Sequence, residues 1–209
     1  MDAAGAVDRG MADRACDFLT SVADERGAVP IVLPSIASYP RANHWGDGNF
    51  PPGLGATLGI AGLLHKHGVE HPWRGAATTY CLAELEGEPP KDAHVIREAL
   101  TFLEHAPDAH ALEARVTGGL RQADWFKADP AEESYGLGPL EFAPAPSSRW
   151  RELFSDQEIE ANLDHLAAEQ QDDGGWPLSW EPPSEASVLE WRGIWTLKAL
   201  RVLRAYGRC

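Results

Sequence analysis

Gln170-Gln171-Asp172-Asp173-Gly174-Gly175-Trp176 is the stretch that decides how this chain folds. The pattern before it, residues 161–169, is helical and ends in Gln-rich polar residues. Gly174-Gly175 supplies a turn, because glycine accepts the left-handed backbone found at helix ends. Trp176 and Pro177 keep the chain from re-entering the same helix. After a short Pro-rich loop, residues 185–206 carry the longest helical pattern in the sequence. Helix, Gln/Gly/Trp turn, helix is one unit of a repeat.

The unit recurs in degenerate form. Asp17 and Asp164 are 147 residues apart (164 − 17), and at that offset Leu19 meets Leu166, Gly27 meets Gly174, Val29 meets Trp176 and Pro30 meets Pro177. The helix starts agree as well. Arg14-Ala15 precedes Phe18-Leu19, and Glu160-Ala161 precedes His165-Leu166. Glu98-Ala99 before Phe102-Leu103 is a third, partial copy.

Small residue, aromatic–aliphatic pair, Gln, Gly, Trp: this pattern resembles the QW motif of the terpenoid-cyclase and protein-prenyltransferase family, to which squalene–hopene cyclases belong. Leu166, Gln170, Gly174 and Trp176 match it at the family's spacing. His165 stands where the family prefers an aromatic, and the first copy has Ala23 for Gln and Val29 for Trp. The resemblance implies an all-α, α/α toroid-like fold of helical pairs and an apolar, isoprenoid-like substrate. It brings no catalytic apparatus with it. The Asp-x-Asp-Asp acid of the cyclases, the Asp-x-Cys zinc ligands of the prenyltransferases and a metal-binding Asp-Asp-x-x-Asp are all missing from the sequence.

Helical patterning covers residues 11–23, 53–67, 72–86, 91–105, 108–126, 155–169 and 184–206. Ser155-x-x-Glu158 reads as a capping box, and residues 150–153 as a single turn. Residues 29–52 and 127–149 are long Pro-rich connections, with Ile31-Val32-Leu33 as a candidate extended segment. Roughly seven helices are too few to close a toroid, so an incomplete or open arc is expected. Its uncovered apolar rim predicts a homodimer.

The 209 residues, 44% of them hydrophobic, suffice for one domain over 1–209 with a frayed N-terminus at 1–9. Thirty-two acidic against 18 basic residues, a net charge of −14, argue against nucleic acid and anionic membrane surfaces. Cys16, Cys81 and Cys209 are odd in number and lack CxxC spacing, which argues against a disulfide framework or structural zinc. His65 and His67 lie about 200° apart on a helix, so they make no metal pair. No metal or other cofactor is expected. Residues 1–14 lack an apolar signal-peptide core, and no apolar run reaches the roughly 20 residues of a membrane span, so a cytoplasmic protein is expected.

Two segments stand out as a candidate site. On the last helix, Arg192 shares a stripe with Val188, Trp195, Ala199 and Leu203. Either it snorkels or pairs with an acidic residue near the helix start, or it anchors a phosphate or carboxylate. The loop from Tyr39 to Asp47 combines Tyr39, Arg41, His44 and Trp45 with a carboxylate. Both segments follow a Gly turn, so they are expected to flank one cavity. Tyr39, Arg41, His44, Trp45, Trp191, Arg192 and Trp195 would line it, and Asp47 or Glu190 would donate a proton in place of the missing family acid. The plainer reading of the loop is a turn capped by Asp47. Glu132-Glu133 in the second connection reads as solvated charge. An apolar small molecule held in a helical cavity is the leading function. A noncatalytic interaction module, and an α/α carbohydrate enzyme with two carboxylates across a cleft, stay open beside it.

Overall fold

The structure, a computed structural model, describes residues 7–209. It is all-α. Among the described residues there are eight α-helices, and the only sheet is two strands of two residues each. The chain divides into two compact units, the first from residues up to Leu33 and from Asn49–Asp124, the second from Pro34–Gly48 and Trp125–Cys209.

The first unit holds α1 (Arg9–Val22), α2 (Leu54–Lys66), α3 (Pro72–Glu86), α4 (Ala93–His105) and α5 (Glu113–Thr117). Helix α1 starts earlier than its apolar pattern suggests, because the Asp8 side chain accepts the Met11 N–H at 2.8 Å. Arg9 in turn donates to the Gly68 carbonyl at 2.6 Å. Of the N-terminus expected to fray, residues 1–6 lie outside the described residues. The extended segment falls two residues earlier than Ile31-Val32-Leu33. It is β1 (Val29–Pro30), antiparallel to β2 (Pro52–Gly53), with Val29 opposite Gly53. Prolines in both strands remove ladder donors and keep the ribbon short. The helix expected over 108–126 is broken. Only α5 is α-helical there, between 3-10 turns at Ala109–Leu112 and Leu120–Gln122, because Gly118-Gly119 interrupts it.

Helices α2 and α4 make the core of this unit. Leu58 and Ala61 meet a face of Ile96, Ala99, Phe102 and Leu103, all of them buried. The glycines of α2 permit the close approach. A Cβ at Gly62 would stand 2.9 Å from the Phe102 Cα and backbone nitrogen. Cys81 is sealed on α3, and burial pushes its thiol up to about 12.

The second unit holds α6 (Pro139–Phe142), α7 (Asp156–Ala168) and α8 (Glu185–Ala205). The rings of Phe126, Phe142 and Phe154 lie 5.9–6.2 Å apart at its centre. Ser155 and Glu158 form the capping box of α7. The C-terminal end of α8 is tied down twice. The Tyr206 hydroxyl donates to the Ala143 carbonyl at 2.8 Å, and Arg208 pairs with Asp164 at 2.9 Å and with Glu160.

Two glycine substitutions separate packing from propensity. Gly75 on α3 has nothing within 4 Å of an added Cβ, so Gly75→Ala should stabilise by about 0.5–1 kcal/mol. Gly62→Ala gains the same propensity but drives a methyl into the α4 backbone. It should destabilise by about 1–3 kcal/mol. Urea melts of the two variants check both signs.

Candidate functional site

The turn after α7 is closed by backbone and side-chain hydrogen bonds. Gly174 adopts φ 83°, and its N–H donates to the Gln171 carbonyl at 2.8 Å while the Gln171 N–H donates to the Gly175 carbonyl at 2.9 Å. The Gln170 side chain donates to the Gly174 carbonyl at 2.9 Å. The Trp176 indole is 1% exposed and donates its N–H to Leu166, in the last turn of α7, at 2.7 Å. The corresponding turn after α1 has the same pattern. Gly27 has φ 90°, the Gly27 N–H donates to the Asp24 carbonyl at 3.0 Å, and the Asp24 N–H donates to the Ala28 carbonyl at 2.9 Å. Next, the Val29 N–H donates to Thr57 Oγ1 at 3.0 Å, and the Trp176 N–H to Thr196 Oγ1 at 3.3 Å.

Arg192 locks the second turn. Its guanidinium donates to Gln171 Oε1 at 2.8 Å, to Asp173 Oδ1 at 2.9 Å and to the Trp176 carbonyl at 3.3 Å. Gly175 leaves room for it, since a Cβ there would lie 2.8 Å from the Arg192 Nη2. The Gly175 N–H and Arg192 together hold the Asp173 carboxyl below its usual value. The acidic partner of Arg192 is Asp173, in the turn after α7 and not near the start of α8.

A cavity of about 120 Å³ lies between α6, α7 and α8. Its apolar wall is Leu140, Leu166, Trp195, Ala199 and Val202. Its polar groups are Glu141, Lys198, Asn162, His165 and Glu169. Glu141 and Lys198 form an ion pair with side chains 16% and 38% exposed, and the Lys198 ammonium lies 4.6 Å from the Trp195 ring centroid. His165 Nε2 stands 3.5 Å from Glu169 Oε1. Asn162 is buried and spends both amide hydrogens on the Ala128 and Glu158 carbonyls. Gly138 keeps the wall open, because a Cβ there would stand 2.8 Å from Asn162 Oδ1.

Of the residues expected to share a site, Trp195 lines this cavity. Trp191 is joined to it through Trp180, whose ring meets both edge-on at 5.4 and 5.6 Å. Arg192 faces the turn. In the loop, Arg41 donates to the carbonyls of Gly46 at 2.5 Å and Ala37 at 3.0 Å, closing the loop on itself. His44 packs on Trp45 with ring centroids 4.6 Å apart. Tyr39, His44, Asp47 and Glu190 are exposed. The loop belongs to the second unit and contributes nothing to the cavity lining.

No protein family, no curated protein and no solved structure matches this chain.

Among the described residues no group of three metal-ligating side chains forms, and no helix is long and apolar enough to cross a membrane. Sequence reasoning passed over Glu141, His165, Glu169, Trp180 and Lys198. Lys198 was findable, three residues after Trp195 on the same side of α8, and His165 and Glu169 sit at i,i+4 spacing on α7. Glu141 carries no such signal, since α6 is a single turn brought to the site by tertiary packing.

Two outcomes follow for the turn. Trp176→Ala removes a buried indole and should cost about 3–5 kcal/mol in chemical denaturation. Arg192→Ala should raise the Asp173 carboxyl back toward its usual value in an NMR titration, with the Gly175 N–H still holding part of the shift. A lowered carboxyl stabilises the fold above its unfolded value and loses that contribution as pH falls through the folded value. The acid limb of the wild-type stability curve should therefore be steeper than that of Arg192→Ala.

Proposed function

We propose that the second unit binds one small apolar molecule, with a single hydrogen-bond-accepting end, in the cavity between α6, α7 and α8. The observation that carries this function is the convergence of an apolar wall with the Lys198–Glu141 pair at one cavity. An ammonium has three donors, and Glu141 takes one. The others are available to an alcohol or carboxylate oxygen, while Trp195 covers the apolar part. Size sets the class. An apolar cavity of roughly 150 Å³ holds benzene, so about 120 Å³ suits one isoprene-sized branched group. A longer isoprenoid would place only its end there. The matching turns after α1 and α7 support two related helix–turn–helix units, and with them an open α/α arrangement akin to the QW-repeat proteins. No proton-transfer step is assigned to Asp47 or Glu190, which are exposed.

Titration with 3-methylbutan-1-ol and 3-methylbutanoate, followed by amide NMR shifts at millimolar ligand, tests this function. Shifts should concentrate at 138–141, 162–169 and 195–202. Ala199→Leu fills the cavity from the α8 side and should weaken binding by about tenfold, the equivalent of roughly 1.4 kcal/mol. Shifts spread evenly over the surface, or binding that Ala199→Leu leaves unchanged, would refute it.

A further inference from the structure

Helix α8 is apolar on two sides. Ala199, Val202 and Leu203 are buried on one. On the other, Leu189, Ile194, Leu197 and Leu200 are 65, 55, 55 and 40% exposed. At 100° per residue these four fall with Glu190, Gly193, Arg201, Arg204 and Ala205 in one stripe about 160° wide. Every one of these residues is exposed, and nothing stands within 4 Å of a Cβ at Gly193. Exposed apolar side chains grouped on one face and rimmed by charged residues mark an association surface.

We propose that this stripe binds a second copy of the chain, with the two α8 helices antiparallel and the two Leu197 residues on the twofold axis. The symmetry of the stripe about Leu197 selects this occupant. A twofold there sets residue 197 − n opposite residue 197 + n of the other copy. Ile194 then meets Leu200, apolar against apolar. Glu190 meets Arg204, opposite charges. Gly193 meets Arg201, and the missing side chain makes room for the arginine stem. Leu189 meets Ala205. No pair sets like charges together. A parallel pair would place Glu190 on Glu190 and Arg204 on Arg204. The spacing 190, 194, 197, 201, 204 alternates steps of four and three, which keeps these residues on one side of the helix along its length. Charge along the exposed stripe agrees: Glu190 lies in its first half, Arg201 and Arg204 in its second. Antiparallel packing therefore brings Glu190 of each stripe onto the basic end of the other, with the helix dipoles opposed.

Sedimentation equilibrium of the full chain from micromolar to submillimolar concentration tests this interface. A reversible dimer is expected. Leu197→Asp should abolish it, at an exposed site where the fold is retained by circular dichroism. Glu190→Arg and Arg204→Glu should each weaken it about tenfold, and the two combined should restore it, since the pair is then only exchanged. In a Cys209→Ser background, Leu197→Cys should form a disulfide-linked dimer on mild oxidation, and Ile194→Cys, displaced from the axis, should not. A monomer at every concentration overturns the proposal. So does a dimer indifferent to Leu197→Asp, which would use another surface, and a double charge exchange that fails to restore association, which would exclude this register.

Discussion

A buried backbone N–H directly after a helix-ending turn must find an acceptor, and in both units of this protein a threonine on a later helix supplies it. Val29 and Trp176 are 2% and 1% exposed, so neither N–H can turn to water. Thr57 on α2 and Thr196 on α8 accept them. The rest of each turn follows from aiming that N–H. The chain must leave α1 or α7, reverse through a left-handed residue and arrive extended at the next helix. Gly27 and Gly174 allow the reversal at φ 90° and 83°. At Gly27 there is a second constraint, since a Cβ would also stand 2.8 Å from the Ala76 Cβ on α3. In the second unit Arg192 adds three hydrogen bonds from the later helix, so α8 is tied to the end of α7 by polar contacts as well as by Trp176.

How much of this was legible depends on whether the signal is local. Capping and turn chemistry is local: Ser155-x-x-Glu158 and the paired Gly27 and Gly174 were readable because their partners lie within a few residues. The helical periodicity of α4, α7 and α8 was readable for the same reason. The break inside 108–126 was visible as Gly118-Gly119 but was outweighed by the apolar spacing of Leu112, Val116 and Leu120. Tertiary pairing left no such trace. Glu141 reaches Lys198 across 57 residues, and Gly62 matters because of Phe102, forty positions on. Arg192 shows the limit of stripe arguments. A cation on an apolar face needs a partner, but periodicity cannot say whether the partner is a ligand or a neighbouring turn.

Helix α8 explains why a simple apolar count misleads in this chain. A helix apolar all round is ordinarily buried all round. Here Ala199 and Leu203 sit in the core while Leu197 and Leu200, on the same two turns, stay exposed. The polar residues do not form an opposite face. On the outward stripe they are graded along the axis, Glu190 first and Arg201 and Arg204 later. A gradient of that kind would orient the proposed second copy lying along the helix. The same 21 residues thus carry the turn lock at Arg192, the cavity wall at Trp195 and Ala199, and an outward stripe centred on Leu197.

The charge at the cavity also bears on what chemistry the proposed ligand site suits. Isoprenoid cyclisation proceeds through cations that aromatic faces stabilise by cation–π attraction. At this cavity the Trp195 face already holds a cation, the Lys198 ammonium 4.6 Å from its centroid. A second positive charge on that ring would face repulsion from the ammonium, with Glu141 already committed to neutralising it. The same arrangement favours the opposite sort of ligand end, an oxygen that accepts from the ammonium. Volume and charge therefore converge on one description of the proposed occupant: short, apolar, and terminated by an acceptor. Binding such a molecule asks nothing of the sites that the cyclases and prenyltransferases use for acid or zinc. Their motifs are missing from this sequence, and the proposed site has no need of them.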